Sequence, residues 1–143
     1  MFLGRHERGL DSKGRLILPA AHRDALGNDS AIITYGLDHC LFLFPRSQFE
    51  VWRQKIRELP LTDPLGRLLR RHIFSAADEV TPDGQGRINL LPHLREYAGL
   101  EGQAIIAGMD DYIEIWNAQR WAEVEALSIA SGDNAAAWAA LRI

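Results

Sequence analysis

Asp11-Ser12-Lys13-Gly14-Arg15 returns seventy-two residues later as Asp83-Gly84-Gln85-Gly86-Arg87. Both stretches have the form D-x-x-G-R, and a β-rich run follows each. The same offset of 72 carries Leu18 onto Leu90, Arg23 onto Arg95, Gly27 onto Gly99, Ile33 onto Ile105, Gly36 onto Gly108 and Asp38 onto Asp110. No insertion is needed from residue 11 to residue 53. A collinear set of this kind is an internal duplication. The period is too long and the copies too few for a solenoid, and each copy is too short to bury a good core alone. Two copies packed together make one ordinary domain. The repeats are taken as residues 1–71, with the helices that close the first copy, and residues 72–143, with a C-terminal helix.

Outward from the loops, each copy reads alike. Leu16 to Leu18 is a short buried strand, and Ala20 to Leu26 a pair of helical turns closed by Gly27. Asn28-Asp29-Ser30 is a turn. Ala31 to Tyr35 and Leu41 to Phe44 are strands joined by the hairpin loop Gly36-Leu37-Asp38-His39. The second copy repeats this with Ile88 to Leu91, Pro92 to Ala98 closed by Gly99, Ala104 to Ala107 and Tyr112 to Trp116. Ser47 with Glu50 three residues on predicts a capped helix, with Phe49, Trp52, Ile56 and Leu59 on its buried stripe. Asp63-Pro64 starts another helix, with Leu65, Leu68, Leu69 and Ile73 inward and Arg67, Arg70 and Arg71 on a solvated face. Asn117 caps a third, with Trp121, Val124 and Leu127 or Ser128 inward. The alanine-rich tail from Asp133 to Leu141 is a short helix or a frayed end. Met1-Phe2-Leu3 is apolar enough to form a short ordered edge. The fold class is mainly β with flanking helices.

Charge is divided unevenly. Residues 1–71 hold 12 Lys+Arg and 8 Asp+Glu, a net of +4; residues 72–143 hold 4 and 11, a net of −7. Together these give the overall −3. Halves that share a plan but differ in sign point to an anionic partner for the first. No apolar run reaches the ~18 residues of a membrane span, and the N-terminus lacks the apolar segment of a signal peptide. The single Cys40 makes no internal disulfide and is expected to be a buried thiol. The expected location is the cytoplasm.

The chemistry points to binding. Arginine presents a planar fork of donors that matches a phosphate or the edge of guanine. An aspartate four residues earlier can hold that fork, or can simply fix the turn. Enzyme readings find little: there is no Walker loop, no G-x-S-x-G and no His-x-x-x-His among the five histidines. Asp110, Asp111 and Glu114 could bind a hard cation but read as a solvated turn. Cys40 and His39 are strand neighbours that point to opposite faces, so they form no dyad. Phe49, Trp52, Trp116 and Trp121 read as core rather than as a stacking platform for single strands. No catalysis, cofactor, metal or small-molecule substrate is expected.

The segments MFLGRHERGLDSKGRLILPAAHRDAL and FSAADEVTPDGQGRINLLPHLREYAGL make the chain, from Met1 to about residue 128, resemble the MraZ family. Members of that family are similar to AbrB-type domains. The resemblance implies a swapped-hairpin, double-split β-barrel made by two tandem repeats in one chain. It implies a DNA-binding regulator, usually a repressor, of the operon for cell division and cell-wall synthesis. Such a protein sits on short direct repeats of double-stranded promoter DNA as a ring-shaped homo-oligomer, in the cytoplasm at the nucleoid. Carried over, Lys13 and Arg15 contact DNA, with Arg5 in the basic N-terminal segment and Arg87 in the second motif; apart from the resemblance, Arg5 and Arg8 are expected to contact phosphate and fix register. Asp11, Gly14, Asp83 and Gly86 shape the loops. Two departures stand out: Pro19 aligns with Leu91, the proline falling one place later at Pro92, and Asn89 stands where the family tends to be apolar. They predict a differently bent second strand, a first loop that reads DNA and a second that is mainly structural. A rival reading, an antitoxin-like protein-interaction module on the same barrel, lacks the long acidic tail it would use.

Overall fold

Each repeat folds as strand, D-x-x-G-R loop, strand, short helix, hairpin and longer helix. The computed structural model describes residues 1–27, 29–130 and 134–142. The expected turn residue Asn28 and the tail's Asp133 lie outside the described residues. In the first repeat these elements are β1 (Arg5–Gly9), β2 (Arg15–Ile17), α1 (Ala20–Leu26), β3 (Ala31–Tyr35), β4 (Leu41–Pro45) and α2 (Arg46–Glu58). Then come α3 (Pro64–Leu69) and a π-helical turn (Arg70–Phe74). The second repeat supplies β5 (Asp78–Val80), β6 (Arg87–Asn89), α4 (Pro92–Ala98), β7 (Gln103–Gly108), β8 (Ile113–Asn117) and α5 (Ala118–Ala130), followed by α6 (Asn134–Ala140). The first strand of each repeat, within MFLGRHERGL and FSAADEV, lacks a clean apolar alternation, so residue spacing does not mark it as a strand.

The repeats exchange those first strands. The main sheet is antiparallel in the order β1-β7-β8-β4-β3-β5, so β1 pairs with the second repeat and β5 with the first. A separate two-stranded ribbon joins β2 to β6. Hydrogen bonding thus leaves two sheets rather than one closed ring, linked at one side by a bridge between Leu10 and Leu16. A pseudo-dyad runs through both. In the ribbon Leu16 lies opposite Ile88, and in the sheet Phe42 lies opposite Glu114, each residue facing its own equivalent at +72. The offset changes only at the first strands. Glu7 faces Ile105, whereas Asp78 faces Ile33, the equivalent of Ile105, so the strands correspond at 78 − 7 = 71.

Two cores lie on the two sides of the sheet. One holds Leu16, Leu18, Ile88, Leu90 and Leu94 from the ribbon side against Ile33, Leu41, Leu43, Ile106, Ile113 and Ile115. The other is aromatic: Phe42, Phe44 and Trp116 pack with Phe49, Trp52, Ile73 and Trp121. The run Leu41-Phe42-Leu43-Phe44 is buried along its length because alternate residues face the two cores. Cys40 is also buried, and loss of solvation pushes its thiol pKa up. Phe2 is buried and exchanges backbone hydrogen bonds with Asp110, which gives the expected N-terminal edge.

Several local expectations are corrected. Helix α2 begins at Arg46 with Pro45 as its cap residue, and Glu50 meets Arg53 at 3.0 Å instead of closing a box with Ser47. The chain leaves β4 in extended backbone straight into the helix, so it turns at the proline. Leu65 and Leu68 are exposed, and of the four residues expected inward only Ile73, within the π-helical turn, is buried. No residue of α5 is buried, so Val124, Leu127 and Ser128 do not face a core; Trp121 is half-buried against Trp116. Pro19 and Leu91 adopt nearly the same conformation (φ −54°, ψ 143° and φ −62°, ψ 150°), so the shifted proline does not bend the second strand differently.

Ribbon burial alternates sharply: Leu16 is fully buried and its neighbour Ile17 is 45% exposed. Leu16→Ala is therefore expected to cost about 2–5 kcal/mol in urea unfolding. Ile17→Ser is expected to change stability by less than ~1 kcal/mol.

Candidate nucleic-acid interface

The two loops are built alike. In the first, Asp11 Oδ1 accepts hydrogen bonds from the backbone N–H of Lys13 and of Arg15, both at 2.9 Å. Its Oδ2 accepts from Arg15 Nε at 2.6 Å. In the second, Asp83 accepts from the N–H of Gln85 and Arg87 at 2.9 Å and from Arg87 Nε at 2.8 Å. One carboxylate thus both closes the turn and orients the guanidinium, so the two uses the sequence left open coincide. Donation from the Arg15 N–H, followed by the side-chain and Lys13 bonds, holds the Asp11 carboxyl below the usual carboxylate range. The Arg87 N–H leads the same effect at Asp83.

Gly14 and Gly86 have φ of +76° and +78°, the left-handed region that favours glycine. Each is also covered by an arginine of the other repeat. A Cβ on Gly14 would lie 2.8 Å from the guanidinium carbon of Arg95, and a Cβ on Gly86 would overlap the guanidinium of Arg23. Arg23 donates to the Gln85 carbonyl at 3.2 Å, and Arg95 to the Leu90 carbonyl at 3.0 Å. Leu18 N–H donates to Gly86 O and Leu90 N–H to Gly14 O, each at 2.9 Å. Sequence reasoning missed this role for Arg23 and Arg95, although their correspondence at +72 was its signal.

The ribbon brings both loop arginines onto one surface. Leu16 and Ile88 point inward, so Arg15 and Ile17 of β2 and Arg87 and Asn89 of β6 share the outer face. Arg15 stands opposite Asn89 and Ile17 opposite Arg87, which sets the arginines on a diagonal. Their Nε groups are held by aspartate; among the described residues the Nη groups of both make no hydrogen bond. Lys13 is exposed at the first loop. The two N-terminal candidates are not gathered with these. Arg8 and Arg5 point to opposite faces of β1. Arg8 donates to the Glu7 carbonyl at 2.8 Å. Arg5 pairs with Glu125 and sits 5.9 Å from the Trp121 ring, on the side of α5.

The other candidates do not assemble. Among the described residues no three His, Cys, Asp or Glu converge to hold a metal ion. Asp111 accepts from Gln48 at 3.0 Å and Glu114 from the Trp116 indole at 3.0 Å. Among the described residues no helix is long and apolar enough to cross a membrane.

A family profile described as "MraZ protein, putative antitoxin-like" matches the chain twice, over residues 1–72 and 73–143. The chain belongs to the MraZ family. A relative from Saccharopolyspora erythraea is 48% identical over 121 residues, covering 85% of this chain and 84% of the relative. One from Thermomicrobium roseum is 43% identical over 136 residues, 95% of each chain. One from a Roseiflexus species is 48% identical over 124 residues, covering 87% and 86%. All three bear the name transcriptional regulator MraZ. The double match of the MraZ profile agrees with the duplication read from the D-x-x-G-R loops.

The loop carboxylates give a pH dependence of definite sign. A lowered pKa in the folded state adds stability above the unfolded carboxylate pKa of about 3.9, which is lost as pH falls through the folded value. The amide resonances of Lys13, Arg15, Gln85 and Arg87 are therefore expected to hold from neutral pH down to about 4 and to collapse together below it.

Proposed function

We propose that this chain is a transcriptional regulator that binds double-stranded DNA with the outer face of the β2–β6 ribbon and its two loops. The observation that carries the reading is the placement of Arg15 and Arg87, each oriented by an aspartate, on one exposed face of a two-stranded ribbon. Such a ribbon fits the major groove, where an arginine fork takes guanine O6 and N7 with about 1–3 kcal/mol of discrimination. The first loop leads, because Lys13 stands where the second loop has Gln85 and because the first repeat is the basic one. Arg8 is left to phosphate, which fixes register without reading sequence. Arg5, paired with Glu125, keeps a structural role and contributes to DNA only through the field around it.

The relatives' names support regulation of transcription; the family resemblance implies the setting, short direct repeats in the promoter of the division and cell-wall operon, occupied in the cytoplasm at the nucleoid. Occupancy alone represses, and no catalysis is involved. One subunit neutralises few phosphates. An oligomer, ring-shaped as in the family, gains by effective concentration, by ~10²–10⁴-fold when its subunits engage successive repeats. Two surfaces support an oligomer. Leu61, Leu65 and Leu68 are exposed beside Arg67 and Arg71, and on α5 Leu127 is exposed one turn beyond the exposed Glu123. Basic-rimmed and acidic-rimmed apolar faces suit a head-to-tail contact between copies.

Titration of a duplex carrying tandem repeats tests the DNA reading. Arg15→Ala is expected to weaken binding at least about tenfold. Lys13→Ala is expected to weaken it less and to flatten the salt dependence by about one phosphate's worth. Equal binding by wild type and Arg15→Ala, or indifference to scrambling one repeat, would remove the reading. Light scattering tests the assembly: Leu65→Glu is expected to reduce its mass toward a single chain without unfolding, since Leu65 is 68% exposed.

A further inference from the structure

The outer face of the ribbon is a two-by-two array, and the pseudo-dyad through Leu16 and Ile88 relates its corners. Arg15 maps onto Arg87, so one diagonal is symmetric. Ile17 maps onto Asn89, so the other is not. Both members of this second diagonal are exposed. Ile17, 45% exposed, is an apolar β-branched side chain between polar corners and belongs to neither core. Among the described residues the Asn89 amide makes no hydrogen bond, although the neighbouring Arg87 is held by Asp83.

We propose that Ile17 and Asn89 set the direction in which the ribbon reads DNA. The proposal rests on the DNA reading above and names what that face recognises beyond guanine. An asparagine amide matches the N6 and N7 edge of adenine bidentately, and an apolar side chain contacts the thymine C5-methyl. Cross-strand partners stand about 5 Å apart, and positions two residues apart on one strand lie about 7 Å apart. The array therefore spans roughly two base-pair steps at 3.4 Å each. A symmetric ribbon with four equivalent corners would favour a palindromic box. The Ile17–Asn89 diagonal breaks that symmetry and gives each subunit one orientation on its box, as successive copies on direct repeats require.

The test is selection from a randomised duplex pool with the full chain. Wild type is expected to enrich a non-palindromic box containing A·T pairs. Ile17→Asn, which places asparagine at both corners, is expected to make the box symmetric under the ribbon. Asn89→Ile is expected to make it symmetric with thymine in place of adenine. Replacing the box thymines by deoxyuridine, which lacks the methyl, is expected to weaken wild type about three- to tenfold and to leave Ile17→Asn unchanged. If both variants enrich the wild-type box unaltered while Arg15→Ala enriches none, the inference falls and the DNA reading stands. If wild type enriches no box, both fall.

Discussion

Leu16 facing Ile88 is the contact on which the rest depends. Each is fully buried or nearly so, and each is the other's equivalent in the duplicated sequence. Pairing them puts the two D-x-x-G-R loops at opposite ends of one short ribbon. Neither repeat could supply this alone, since β2 and β6 are three residues each and an isolated strand has no partner for its backbone. The exchange of β1 and β5 follows the same logic. Each first strand finishes the sheet of the other repeat, so the duplicated halves share one hydrogen-bonded framework instead of forming two beads.

Loop geometry is then over-determined. Aspartate closes each turn from within its own repeat, and an arginine of the other repeat lies across the glycine. An arginine meant to read a base edge needs a fixed direction, because loss of side-chain freedom is a cost of binding that prior orientation reduces. A carboxylate on Nε provides that direction and, among the described residues, leaves the Nη groups without a hydrogen bond. Each ion pair is about a third exposed to solvent, so its contribution lies in placement more than in stability.

The two repeats keep one scaffold and diverge in what they display. The loops match hydrogen bond for hydrogen bond, and Pro19 and Leu91 take the same backbone conformation in spite of the shifted proline. Buried equivalents differ mostly in shape, as Phe44 against Trp116, with His22 against Leu94 and Phe42 against Glu114 as polar exceptions; what the repeats display differs at Lys13 against Gln85, Ile17 against Asn89, and the basic α2 against the acidic α5. Arg53 of α2 and Glu125 of α5 occupy equivalent positions at +72. Buried positions are constrained by packing on both sides of the sheet, whereas exposed ones are free to carry specificity and charge.

Duplication, fold class and the loop motif were legible in the amino acids alone, because a fixed offset and a D-x-x-G-R string are local facts about residue order. So was the buried Cys40. Three things were not. Strands β1 and β5 are short edge strands whose polar residues, such as Arg5, Glu7 and Glu79, hide the two-residue period. The exposure of Leu65, Leu68 and Leu127 depends on which faces find a partner, and an apolar stripe has the same spacing whether covered or not. Above all, the sequence could not say that Arg15 and Arg87 share one face, since that follows from the antiparallel register of β2 on β6. Residue order determined what each loop is made of; only the tertiary pairing across the pseudo-dyad decided where the loops stand, because register is set by the burial of Leu16 and Ile88 against the whole sheet.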